Sequence, residues 1–132
     1  MIMLDSRRFY KELGNLFYAI AAADNNISQK EKKKMDDEVQ FAWKHYDHTT
    51  DRFGSDRAFL IEFEFETMED ASETAENAYD SFQAFFLEKG IEIDEPTRKR
   101  IFNSARHIAE NVRGINQEEL RYLMKLKDLM KV

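Results

Sequence analysis

Ile20-Ala21-Ala22-Ala23-Asp24-Asn25-Asn26-Ile27-Ser28-Gln29-Lys30-Glu31 joins two helices by a turn. The alanine-rich run ends a helical stripe. Three consecutive polar residues then break it, and Asn tolerates the positive φ that such a break needs. Ser28 stands three residues before Glu31, the spacing of a capping box. There the hydroxyl and the carboxylate each satisfy a backbone donor of the new helix. Upstream, Phe9, Leu13, Leu16, Phe17, Ile20 and Ala23 recur at helical spacing and predict a helix from about Asp5 to Ala23. Downstream, Met35, Val39, Ala42, Trp43 and Tyr46 share one face of a second helix, which fades near His48-Thr49-Thr50.

The same pattern recurs near the other end of the chain. Ile108-Ala109-Glu110-Asn111-Val112-Arg113-Gly114-Ile115-Asn116-Gln117-Glu118-Glu119 aligns with the first stretch without a gap, and five of twelve positions are identical. Asn116 and Glu119 repeat the capping box, and Leu13 falls on Ile101 and Met35 on Leu123, so the apolar phase is kept. Two such units are too few for a solenoid. They predict two pseudo-symmetric αα-hairpins packed into one bundle.

Between them, residues 58–68 carry two periods at once. Ile61, Phe63 and Phe65 alternate with Glu62, Glu64 and Glu66, as a strand would. Ala58, Ile61, Phe65 and Met68 also make a helical stripe, with Phe59 and Phe63 on a second one. A lone strand would have no partner in this chain, so a helix is expected. A long helix from Met68 to Lys89 should follow, with Ala71, Ala75, Ala78, Phe82, Phe85 and Phe86 inward and Gly90 as its stop. Asp94, with Pro96 in the first turn, opens a fifth helix carrying Ile101, Ala105, Ile108 and Val112, with Gly114 as its end. The last helix runs through Leu120, Leu123, Met124 and Leu126. The expected fold is therefore all-α: a single domain over residues 1–132 with about six helices.

Composition narrows the function. The 132 residues include eleven Phe, four Gly, one Pro and no Cys, so disulfides, thiolate zinc sites and cysteine nucleophiles are excluded. The net charge of −6 gives nucleic acid no electrostatic footprint. The cluster Lys30, Lys32, Lys33 and Lys34 is followed at once by Asp36, Asp37 and Glu38, which reads as a solvated helix face. No apolar run approaches the length of a membrane span, and no secretory or lipidation signal is seen, so a cytoplasmic protein is expected. No Ser stands in a nucleophile elbow, and the glycines are isolated, so no phosphate-cradling loop is present. Glu62, Glu64 and Glu66 read as a solvated face rather than as acid/base groups. A non-enzymatic protein is expected.

The first turn carries the strongest hint of chemistry. Asp24, Asn26, Ser28 and Glu31 offer the oxygen donors that hard cations prefer. The turn is not an EF-hand: counted from Asp24, Gln29 stands where Gly is needed and Met35 where Glu is needed. Capping and turn formation also account for these four residues. A weaker cluster is His45, Asp47, His48 and Asp51, whose two imidazoles are spaced to share a metal on a helix. His107 is the only other imidazole.

Ala23-Asp24-Asn25-Asn26-Ile27-Ser28-Gln29-Lys30-Glu31 resembles the motif of the tellurite-resistance TerB family and related TerB-like domains, with Asn25 where Gly is common. The resemblance covers residues 9–46 and, through the repeat, 98–130 in outline. It implies an all-α bundle of two pseudo-symmetric halves, a role in membrane-linked stress responses and a divalent cation held by acidic residues. It also implies a protein partner and peripheral rather than transmembrane association with membranes. Carried over by position, Asp24 and Glu31 match the acids of the first motif and Glu119 the second Glu, which makes them the expected ligands of calcium or magnesium. Val112 stands opposite Asp24, so the second Asp is absent. The alternative expectation is a metal-free adaptor or homodimer, with the aromatic residues of 58–66 as the contact surface. A bundle metalloenzyme would need Glu-x-x-His pairs, and the sequence has none.

Overall fold

The computed structural model describes residues 6–44, 57–110 and 114–132. Six α-helices appear among them, with no strand: α1 (Ser6–Ala21), α2 (Gln29–Glu38), α3 (Phe59–Asp70), α4 (Ala75–Lys89), α5 (Glu95–Ala109) and α6 (Gln117–Met130). Residues Val39–Trp43 continue α2 as a π-helical turn, and Gly90–Glu92 continue α4 as a 3-10 turn. No helix among the described residues is long and apolar enough to cross a membrane.

α1 is the centre of the bundle. Every residue from Leu13 to Ala21 is buried, on all sides of the helix and not only on the expected stripe. A helix apolar all round has to be enclosed. α1 packs against α3, α4, α5 and α6. Leu13, Leu16, Phe17 and Ile20 are fully enclosed, each contributing about 1.5–3 kcal/mol of burial free energy. The buried apolar residues form one continuous cluster, which Phe65, Phe82, Phe85, Ile101, Ile108 and Leu126 join from the surrounding helices.

The segment 59–70 is a helix, and burial separates its two stripes. Ala58, Ile61 and Phe65 lie in the core, whereas Phe59 and Phe63 are exposed. Helical rotation carries Glu64 away from Glu62 and Glu66 and onto α1, leaving it only 6% exposed. The expectation that all three glutamates form a solvated face fails at Glu64 for that reason. At this crossing α1 places Gly14: a Cβ there would stand 2.7 Å from the carbonyl oxygen of Ile61 and 2.8 Å from Cβ of Glu64.

The helix expected from Met68 starts later, at Ala75, because α3 runs on to Asp70. Ser72 adopts φ 52°, with Ser72 N–H donating to Glu69 O at 3.0 Å and Glu73 N–H to Met68 O at 3.0 Å. This is a Schellman stop with Ser where Gly is usual. Thr74 then caps α4, its hydroxyl accepting from Asn77 N–H at 3.1 Å. Ala71 therefore lies exposed in the turn rather than on an inward face. Gly90 opens the 3-10 turn at φ −59°, so it is not a left-handed stop. Its missing Cβ makes room for the Phe86 ring, which would otherwise stand 2.9 Å away. α5 ends at Ala109, short of Val112, which lies outside the described residues.

The caps read from sequence are all present. Ser28 and Asn116 form capping boxes with Glu31 and Glu119, and Asp94 caps α5 with Pro96 in its first turn. Asn25 takes φ 63° in the first turn. α2 is fastened to α5 by a buried chain: Trp43 Nε1–H donates to Ser104 Oγ at 3.0 Å, and Ser104 donates to Glu38 Oε1 at 2.6 Å. His107 Nδ1 meets the other Glu38 oxygen at 2.5 Å.

The Gly14 crossing gives a test with a definite sign. In an open helical position Gly14→Ala would stabilise by about 0.5–1 kcal/mol. Against α3 it should instead cost about 1–3 kcal/mol through overpacking. A lower urea midpoint with an unchanged m-value is the expected outcome.

A candidate acidic cleft between two capped hairpins

The sequence repeat reappears in the element boundaries. α1 ends at Ala21 and α2 begins at Gln29; α5 ends at Ala109 and α6 begins at Gln117. Each boundary of the second hairpin falls on the residue aligned with the first. The local reason is the same in both: an N-cap side chain and an N3 glutamate fix where the second helix starts.

These two helix starts line one cleft of about 480 Å³, with Asp24, Ser28, Glu31, Asn116 and Glu119 in its wall and Lys34 beside them. Ser28 N–H donates to Glu31 Oε1 at 2.8 Å, and Glu31 N–H donates to Ser28 Oγ at 3.1 Å. On the other side Asn116 N–H donates to Glu119 Oε1 at 3.4 Å, and Glu119 N–H to Asn116 Oδ1 at 2.8 Å. Asp24 joins the hairpins: its Oδ1 accepts Asn26 N–H at 3.0 Å and its Oδ2 accepts Asn116 Nδ2–H at 3.1 Å. The three acids expected as ligands, Asp24, Glu31 and Glu119, are thus brought to one place.

Glu119 is the unusual member. It is 1% exposed. Burial is the main cause that pushes its carboxyl up to about 8. Hydrogen bonding and like-charge repulsion with Glu31 come next, then the charge of Asp24, while the Asn116 N–H pulls the other way. Glu119 therefore keeps its proton at neutral pH.

The donors are oxygens throughout, which suits calcium or magnesium. The acids are gathered but not closed into a cage. Among the described residues no group of three or more His, Cys, Asp or Glu is arranged to hold a metal ion. His45, Asp47, His48 and Asp51 lie outside the described residues, and His107 is engaged with Glu38.

A second polar cluster escaped the sequence reading. Glu12 and Asn15 of α1, Glu64 of α3 and Ser81 of α4 meet between those helices. Gly14 on the face of α1 was the one available signal, because it marks where α3 could approach closely.

Compared with protein families, curated proteins and solved structures, the chain matches none of them.

Glu119 fixes a pH dependence whose sign is determined. Its folded-state pKa is raised above the unfolded value of about 4.3, so the folded state holds the extra proton. That contribution is complete below the unfolded pKa and is lost as pH rises to about 8. Glu119→Gln keeps the capping geometry without the ionisation. Melting curves from pH 5 to 9 should show a smaller loss of stability on the alkaline side than in the parent, worth several degrees in Tm at about pH 9.

Proposed function

We propose that the chain is a TerB-like helical interaction and stress-response module whose acidic cleft takes up a divalent cation, calcium or magnesium. Asp24, Glu31 and Glu119 supply the carboxylates. The observation that carries the reading is the buried Glu119 carboxyl, crowded against Glu31 in a cleft that Asp24 also lines. Carboxyls crowded together in a buried cleft are costly, and a cation is one way to relieve the repulsion. The matched boundaries of the two hairpins support reading them as pseudo-symmetric halves, with the cation between them. Bound there, the cation would tie α2 to α6 and fix the hairpins for a protein partner. No enzymatic step is assigned to the cleft.

Calorimetric titration with calcium, magnesium, manganese and zinc, paired with melting curves, tests this reading. A ligand that binds only the folded state raises stability, by about 2.7 kcal/mol at a hundred times Kd. The expected result is a Tm increase in millimolar calcium or magnesium that Glu31→Gln/Glu119→Gln abolishes. Gln at the third helical position keeps both capping boxes, so the variant remains folded. Absence of any shift with all four cations would sink the cation reading.

A metal-free homodimer is the second reading, and the exposed aromatic residues favour it. Phe63 is 67% exposed and Phe59 49% on α3. Phe65, one of the residues expected on that surface, is fully buried and serves the core. Phe59→Ser/Phe63→Ser should lower a concentration-dependent molecular mass in light scattering while leaving Tm nearly unchanged. Phe65→Ser should instead unfold the bundle, costing about 3–5 kcal/mol.

A further inference from the structure

α3 turns a second stripe to solvent, on the side away from Ile61 and Phe65. With 3.6 residues per turn, Phe59, Glu62, Phe63, Glu66 and Asp70 fall on that side. Phe59 is 49% exposed and Phe63 67%. Glu66 and Asp70 are exposed as well, and Glu62 is half-buried. The two rings stand four residues apart, one turn, so they make a short ridge of the kind one helix offers to another.

The charge on this face has one sign and is unpaired. α3 carries acids at 62, 64, 66, 69 and 70 and neither Lys nor Arg. On the neighbouring α2, Lys32 pairs with Glu69 at 2.7 Å and Lys33 with Asp37 at 3.6 Å. Among the described residues no ion pair reaches Glu62, Glu66, Asp70 or Asp36. Asp36 adds its own charge from α2. Burial, then the charges of Asp36 and Glu66, raises the Glu62 carboxyl above the usual range. Asp36 is raised too, by burial first and then by Glu66 and Asp37, with Lys33 and Lys32 partly countering. The fold thus crowds like charges beside two exposed rings and leaves them without a paired cation.

That combination selects the occupant. Nucleic acid and an anionic membrane are repelled by the acids. An extended peptide finds no sheet edge to join, since no strand occurs among the described residues. A second copy meeting through this face would bring two acidic surfaces together, which like-charge repulsion opposes. The rings call for apolar cover and the acids for cations arranged along a helix.

We propose that the outer face of α3 docks a basic amphipathic helix of a protein partner. Its apolar stripe covers Phe59 and Phe63, and Lys or Arg flanking that stripe pair with Glu62, Glu66 and Asp36. The 12 residues of α3 span about 18 Å, so about three turns of the partner lie against them. The rings supply most of the affinity, while the acids set orientation and speed encounter. This names the partner class for the chain read as an interaction module and rests on that reading. It does not rest on the cation, and it competes with the homodimer for the same two rings.

The probe is a synthetic peptide of about eighteen residues, long enough to form a helix. Leu stands at i, i+3, i+4 and i+7, and Lys on both flanks. It is titrated calorimetrically into the full chain in EDTA, beside a scrambled peptide of the same composition and one with Glu for each Lys. The Lys peptide should bind saturably with a Kd on the order of 10 μM at low salt and weaken as salt rises. The scrambled and Glu peptides should bind at least about tenfold more weakly. Phe59→Ser/Phe63→Ser should cost at least about tenfold in affinity. Glu62→Gln/Glu66→Gln should also weaken binding and flatten its salt dependence, with Tm at or above that of the parent because like charges are removed. Absence of saturable heat up to about 1 mM peptide, equal binding of the scrambled peptide, or undiminished binding in the Phe variant overturns the inference. A concentration-dependent mass that the Phe variant abolishes, with no peptide binding, assigns the face to a second copy and overturns it too. A calcium or magnesium shift in Tm that survives in the Phe variant separates failure at this face from failure of the cation reading.

Discussion

Enclosure of α1 is the constraint on which the other helices depend. Nine consecutive buried residues leave no face for water, so the chain has to supply walls on every side. α3, α4, α5 and α6 all supply them. Gly14 lets α3 come close enough for Ile61 and Phe65 to reach the core. The enclosed polar residue, Asn15, is tolerated because Glu12 and Ser81 accept from its amide nitrogen. The acidic cleft and the second polar cluster both follow from this plan. One lies where the hairpin turns meet, the other where α1 carries polar side chains between α3 and α4.

The helix starts were legible because capping is local chemistry. Ser28, Asp94 and Asn116 each satisfy orphan backbone donors within three residues, and no tertiary contact is needed to choose them. The stops were less legible. Ser72 takes the left-handed conformation that Gly usually marks, so the break between α3 and α4 carried no glycine signal. Gly90 does stand where α4 ends, but the Phe86 ring, not a left-handed backbone, leaves no room for a Cβ there. The double period of 58–68 was settled by packing: α1 buries Ile61 and Phe65 and leaves Phe63 in solvent.

The candidate acids divide in the same way. Asp24, Glu31 and Glu119 could be gathered from the repeat, because equal offsets from equal caps put equivalent residues at equivalent helix starts. Nothing in the sequence told that Glu119 would lose water almost entirely, since that depends on the opposing hairpin. Glu64 was illegible for a related reason. Glu62 and Glu66 alternate with it in the sequence as if on one face, and only the close crossing of α3 over Gly14 singles out Glu64. A buried carboxylate is a property of the crossing, not of the residue.

The chain from Trp43 through Ser104 to Glu38 has a practical consequence. Trp43 is the chain's single tryptophan, fully buried, edge-on to Phe9 at 5.9 Å between ring centres. Its indole N–H is held by a hydroxyl of α5 while its backbone belongs to the π-helical turn after α2. Emission from this one fluorophore therefore reports on the seam between the first hairpin and the second. A loosening of that seam that lets water reach the indole shifts the spectrum to the red, without any label being introduced.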